Sequence, residues 1–256
     1  MKASARIVAE ADGPRGTRLA VLRGESPLLL RRTGPRAPGE PVTVHLVGGA
    51  AGPLRGDDLR LEVEVGPGAR LDIRSVAASL ALPGRTGAPP SRLEIQATVA
   101  AGGSLRWLPE PLIAATGCHH LATTTVQVAD GGRLLWRDDL VCGRHGETAG
   151  DLRADVTVRY GGATLYRHTL AVGPGAPGWS QAAVLGSASG GRAIGTVIFA
   201  GPDLPAARLL GGDAALMPLA GPGMLATAVG ADIRQVRAAL DPLCASTHPV
   251  AAPQPA

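Results

Sequence analysis

Lysine is almost absent from this chain: Lys2 is the only one in 256 residues, so the cationic side chains are nearly all arginine. A P-loop needs Gly-x-x-x-x-Gly-Lys-Ser/Thr, with the lysine neutralising phosphate charge, and this sequence cannot supply one. Aromatics are scarce as well, with three Trp, two Tyr and one Phe. Binding to single-stranded nucleic acid wants exposed rings for stacking, and the arginines here are scattered rather than clustered. Nucleic acid is therefore not an expected partner, despite a net charge of +4 and a pI near 9.5. Cysteines number only three (Cys118, Cys142 and Cys244), odd and widely spaced, which argues for a reducing compartment rather than a disulfide framework. Met1 to Glu10 lacks the apolar run of a signal peptide. The longest weakly charged stretch, Met217 to Ala231, is broken by Gly221, Pro222 and Gly223 and is too short for a bilayer. A cytoplasmic protein away from the membrane is expected.

Catalytic signatures are missing too. A nucleophile elbow needs serine at the centre of Gly-x-Ser-x-Gly, and Gly186 to Gly190 has Ala188 there. The glycine-rich run from Gly186 to Gly195 lies between Ala182–Leu185 and Thr196–Phe199, both strand-like, and reads as a hairpin loop rather than a dinucleotide fingerprint. Charged residues make up 18%, below the usual share of about 25%, as suits a surface partly covered by a partner.

What the chain does have is 45% apolar residues, a mean hydropathy of +0.14, 36 glycines and 22 prolines: a folded core with many turns. A loose repeat runs through it. Glu62–Val65, the turn Gly66–Ala69 and Arg70–Ile73 read as strand, turn, strand. The theme returns at Ala97 to Leu108 around Gly102-Gly103, at Val126 to Arg137 around Gly131-Gly132, and more weakly at Asp155 to Arg167. Each unit alternates apolar with polar residues, the period of a half-buried strand, and the units recur about every 30 residues. The prediction is a mainly β fold: layered, stacked antiparallel β-structure with irregular quasi-repeats. An ordinary antiparallel sandwich fits the same pattern. One or two α-helices are expected near the C-terminus. Asp232 to Leu240 places Ile233, Val236 and Leu240 on one stripe and is stopped by Pro242, and a second helix is compatible with Leu204 to Leu210. Residues 1–244 form one domain in this reading, and 245–256 form a flexible Ala/Pro-rich tail.

Several residues are candidates for chemistry. Cys118 and His120 precede or open a strand and, two apart, could share a face as weak ligands for a soft divalent metal. No C-x-x-C or H-x-x-x-H spacing supports a closed site, and isolated Cys and His are more often packed or solvated. Glu110 follows Pro109 behind the Trp107 strand, where a solvated turn residue is the plain reading. Arg144 and Glu147 sit three apart in a glycine-flanked turn and could simply pair with each other. The functional alternative is that Asp57, Glu110 and Glu147 line a polar interior path, where carboxylates and water hold a divalent cation weakly enough to release it.

These signatures have an order. Gly48-Gly49 leads to Gly56-Asp57; Gly66-Pro67-Gly68-Ala69-Arg70 follows, then Trp107-Leu108-Pro109-Glu110, then Gly143-Arg144 with Gly146-Glu147. Over residues 40 to 200 the chain resembles the UreD (UreH) family of urease accessory proteins. The resemblance implies a non-enzymatic maturation factor that binds apo-urease and a helical partner, UreF, which recruits the GTPase UreG. It also implies a layered, mainly β fold, no stably bound cofactor, and nickel in transit through an internal tunnel. Ile233, Val236 and Leu240 are candidates for the UreF-facing surface, intramolecular packing being the alternative. Two rivals remain: an enzyme of unrecognised β class with Asp57, Glu110 or Glu147 as acid and base, and a β-repeat interaction module without a metal role.

Overall fold

Alternating residues closed by short glycine turns wind here into successive coils. In the computed structural model, which describes residues 1–34, 40–179 and 191–245, the chain opens with β1 (Lys2–Ala11), β2 (Thr17–Gly24), β3 (Leu28–Thr33) and β4 (Val42–Gly48). The repeats follow as β5 (Asp58–Val65), β6 (Arg70–Ser75) and β7 (Ser79–Ala81), then β8 (Ser91–Val99), β9 (Ser104–Leu108) and β10 (Leu112–Ala114), then β11 (His119–Val128) and β12 (Arg133–Cys142). After β13 (Asp151–Tyr160) and β14 (Ala163–Val172) come β15 (Ala193–Ala200), β16 (Arg208–Gly211), β17 (Ala214–Pro218), β18 (Gly223–Gly230) and helix α1 (Ile233–Cys244).

Two sheets face each other. The first runs β14-β13-β11-β8-β5-β1-β2, and the second runs β16-β17-β18-β15-β12-β9-β6-β4-β3. The glycine turns after β5, β8 and β11 carry the chain from one sheet to the other instead of back along the same sheet. Coil therefore stacks on coil in parallel, through β1–β5–β8–β11–β13 in one layer and β4–β6–β9–β12 in the other. The stacked, mainly β architecture agrees with the repeat; the antiparallel pairing expected for it holds only at the margins. There β1–β2, β13–β14, β3–β4 and the β12–β15–β18–β17–β16 run are antiparallel. The physical reason is that a corner between layers and a hairpin tip need the same short turn and the same period-two flanks. Only the weakest copy, β13–β14, is a true hairpin.

The corners are themselves in register. Ala69, Gly103 and Gly132 each donate back three residues, to the carbonyls of Gly66, Ala100 and Ala129. Gly68, Gly102 and Gly131 take φ of 68°, 71° and 76°, left-handed values that a side chain resists. Inward residues of the facing layers, among them Ile7, Leu61, Val63, Leu71, Ile73 and Leu105, make a fully buried core beside these corners, while Arg60, Glu62 and Glu64 face out on alternate positions.

Helix α1 lies on the outer side of the second sheet. Asp232 caps it, accepting from the backbone N–H of Arg234 and Gln235. Val236 and Leu240 are fully buried against residues such as Val197 and Ala226. Helix and strand approach closely enough that a Cβ on Gly195 would lie 2.4 Å from Val236 Cγ1 and 2.7 Å from Leu240 Cδ1. Pro242 does not stop the helix, which runs on to Cys244. A proline this near the end forfeits little backbone bonding, and the last turn is held from the sheet: Arg106 donates to the Cys244 carbonyl, and Arg137 Nη1 lies 2.5 Å from Asp241. The second helix is not formed. Residues 204–207 have no regular structure and 208–211 pair as β16 with β17, so strand pairing overrides the local helical pattern. The expected strand at Ala182–Leu185, the loop at Gly186–Gly190 and the tail beyond Ala245 lie outside the described residues. Among the described residues no helix is long and apolar enough to cross a membrane.

Candidate functional site

At the corner end the two layers pack tightly; away from it they part around a cavity of about 490 Å3. Trp107 and Trp136, paired across β9 and β12, stack with ring centroids 4.7 Å apart and mark the transition, Trp107 itself lining the cavity. The polar part of the lining includes Glu110, Asp138, Asp139, Asp155, Tyr166 and His168. His168 is exposed on β14, so the space reaches the surface there.

The second sheet is interrupted beside this cavity. Pro109 and Pro111 offer no N–H to a ladder, so the strand breaks into β9 and β10, while β12 runs continuously past both. Its Trp136 pairs with Trp107 and its Leu140 with Leu112, which leaves Arg137, Asp138 and Asp139 opposite the break that holds Glu110. Strand alternation sends Asp138 to the inner side with Trp136, whose Nε1–H donates to Asp138 Oδ2 at 2.8 Å. Arg137 and Asp139 face the helix instead and pair at 2.9 Å, both nearly fully buried. Arg237 of α1 reaches Glu110 Oε2 at 2.8 Å and approaches Asp139 Oδ2 at 3.7 Å. The Asp139 carboxylate is completely inaccessible, and its Oδ1 has no hydrogen-bond partner.

Burial pushes the Asp138 carboxyl up to about 6, with the neighbouring Asp139 charge adding to the rise and the Trp136 bond opposing it. The same acid, after burial, helps push the Tyr166 hydroxyl up to about 12. A carboxyl whose folded pKa is raised holds its proton more tightly in the folded than in the unfolded chain. Its contribution to stability is whole below the unfolded pKa of about 4 and is lost as pH rises through about 6. Asp138→Asn removes that titration. The urea midpoint of the wild-type protein is expected to fall relative to the variant as pH rises from about 4 to about 6. Parallel midpoints across that range would show that Asp138 does not titrate there.

The residues singled out from sequence are placed as follows. Glu110 lines the cavity. Asp57, buried in the turn after Gly56, accepts from the Met1 amino group at 2.7 Å and from the Leu54 N–H at 2.8 Å, away from that lining. Glu147 is tied to Arg144 Nε at 2.8 Å in the Gly143–Gly146 turn, the simple pairing being the one observed, and Arg144 holds its carboxyl down at about 2. The three are not brought together. Cys118 is buried, its thiol pushed up to about 11 by burial and by Asp151; His120 is fully buried, held by Ser91 at 2.9 Å through Nδ1, and pushed down to about 4 by burial. A metal at Cys118 would have to displace a firmly held proton. Among the described residues no group of three His, Cys, Asp or Glu is arranged to hold a metal ion. Val236 and Leu240 are used up in packing α1 on the sheet, and Ile233 is partly buried beside them. Asp138 and Asp139 are the carboxylates beside the cavity that sequence reasoning does not single out. The available signal is a run of three charged residues, Arg137-Asp138-Asp139, inside an otherwise apolar strand from Leu134 to Cys142.

A two-layer β-solenoid, parallel at its centre, with a largely apolar space between its layers that a few carboxylates border, is the class of protein these features define. The family model described as UreD urease accessory protein matches residues 1–256, well beyond the stretch that carries the motif resemblance. The chain is 49% identical to urease accessory protein UreD 3 of Streptomyces griseus over 248 residues, covering 94% of this chain and 95% of that one. It is 46% identical to UreD of Streptomyces avermitilis, with 94% and 95% covered, and 44% identical to UreD of Streptomyces coelicolor, with 96% of each covered. The chain belongs to the UreD family of urease accessory proteins, which implies a role in urease maturation.

Proposed function

We propose that the protein is a non-enzymatic urease maturation factor that delivers nickel to the urease active site through the space between its layers. It holds apo-urease and a UreF-type protein, and through them a UreG-type GTPase. The observation that carries this reading is the cavity between the layers, mainly apolar but with Glu110 and Asp138 in its lining, in a member of this family. Carboxylates in twos rather than threes, completed by water, suit an ion that has to leave again. Nickel is cargo here, not a resident cofactor. The three cysteines are buried and free, which supports a reducing cytoplasm as the place of work.

The test is urease activation in cells that express the urease subunits and all accessory proteins at limiting nickel. Asp138→Asn is expected to lower activation several-fold while the accessory complex still assembles, and deletion of the chain is expected to abolish it. Normal activation by Asp138→Asn would remove the conduit; normal activation without the chain would remove the maturation role altogether.

A further inference from the structure

Between α1 and the interrupted sheet lies a compact charge cluster whose members come from four elements and one break. Arg106 of β9 pairs with Asp72 of β6 at 3.2 Å and reaches the Cys244 carbonyl at the end of α1. Arg137 of β12 pairs with Asp139 beside it and with Asp241 of α1. Arg237 of α1 pairs with Glu110 in the break and approaches Asp139. Four carboxylates (Asp72, Glu110, Asp139, Asp241) thus interleave with three guanidinium groups (Arg106, Arg137, Arg237).

The members are not equivalent. Arg106 and Arg137 rise from the sheet and are almost inaccessible, with side-chain exposures of 11% and 7%. Arg237 comes from the helix, is 30% exposed, and is the guanidinium that touches two of the carboxylates lining the cavity. Its hold is partial. One Nη is at hydrogen-bonding distance from Glu110, its Nε lies 3.7 Å from Asp139 and has no hydrogen-bond partner, and Asp139 Oδ1 is buried without one. A fully buried carboxylate with an unused oxygen is costly, and Arg137 and Arg237 together are what offset the Asp139 charge here.

We propose that Arg237 is a latch: a tethered guanidinium that occupies the Glu110–Asp139 pair where the second sheet is interrupted, so that a divalent cation enters or leaves the cavity there by exchanging with it. Swinging Arg237 out deprives Glu110 and Asp139 of the cation they share, a place that a divalent ion can take. The exchange keeps the site weak, since every cation bound has to displace an ion pair already present. The latch rests on the conduit reading and adds the point of control to it.

The probe is nickel titrated into the full chain by calorimetry at fixed pH, checked by competition with a chelator. Arg237→Gln is expected to tighten nickel binding by about tenfold, the scale of one competing charge pair, and Arg237→Lys, which keeps the charge, is expected to stay within about threefold of wild type. Adding Glu110→Gln to Arg237→Gln is expected to reverse the gain. Thermal melts without nickel confirm that each variant is folded; should Arg237→Gln melt early, Arg237→Ala and Arg237→Met carry the same comparison. Affinity for Arg237→Gln within about twofold of wild type, or a gain that survives Glu110→Gln, overturns the latch. Distinguishing this from failure of the conduit is direct. If Asp138→Asn blocks urease activation while Arg237→Gln leaves affinity unchanged, the latch falls and the conduit stands; if Asp138→Asn activates normally, the conduit falls with it.

Discussion

Arg137→Met is expected to lower the unfolding free energy by about 3–5 kcal/mol, the cost of leaving one member of a buried ion pair without its partner. The orphan is Asp139, whose carboxylate is inaccessible to solvent and held by Arg137 at 2.9 Å. Arg237 stands too far off, at 3.7 Å from the same oxygen, to replace that bond in full. Burial already raises the Asp139 pKa, so part of the loss can be relieved by taking up a proton, and the penalty is expected to be larger at alkaline than at mildly acidic pH. Combining Arg137→Met with Asp139→Leu replaces the pair by apolar groups and is expected to recover much of the stability. Urea midpoints for the two single variants and the double variant decide the matter. A single variant within about 1 kcal/mol of wild type, or no recovery in the double, contradicts this account of how α1 and the sheet are held.

Trp136→Ala is expected to cost as much, about 3–5 kcal/mol, by opening a void where the largest fully buried side chain among the described residues stood. Trp136 is fully buried, stacks on Trp107 with planes 10° apart, and is the hydrogen-bond donor to Asp138. Losing the ring therefore removes packing and also the leading bond that counteracts the upward push on that carboxyl. Two readouts should move together: the urea midpoint downward, and the pH at which Asp138 titrates upward. Trp136→Phe keeps most of the ring but not the N–H, and is expected to shift the titration with a smaller loss of stability. A midpoint for Trp136→Ala close to wild type would show that the layers close over the gap.

Much of this was written in the repeat. The glycine pairs at Gly102-Gly103 and Gly131-Gly132, flanked by period-two segments, located the corners of the coils. Whether each corner leads to a parallel or an antiparallel neighbour was not legible, because an alternating strand says which residues are buried and nothing about which strand it pairs with. The Trp107–Glu110 signature falls beside the cavity because its prolines interrupt a sheet, and Glu110 is one side of the resulting gap. Asp57 and Glu147 looked equally promising as isolated carboxylates, yet Asp57 is bound by a backbone N–H and the Met1 amino group, and Glu147 by an arginine three residues away. The other side of the gap, Asp138 and Asp139, is recognisable only once β12 is seen passing the break that β9 and β10 leave. Contacts between Arg237 and residues about a hundred positions earlier in the chain have no local signature at all.

The indole stack beside Asp138 gives the molecule its own optical reporter. Of three tryptophans in the chain, two form a single chromophore pair, and one of them is bonded directly to a carboxylate that faces the cavity. Emission from that pair senses charge arriving or departing at one oxygen, so the interior of the protein can be followed without attaching a dye to it.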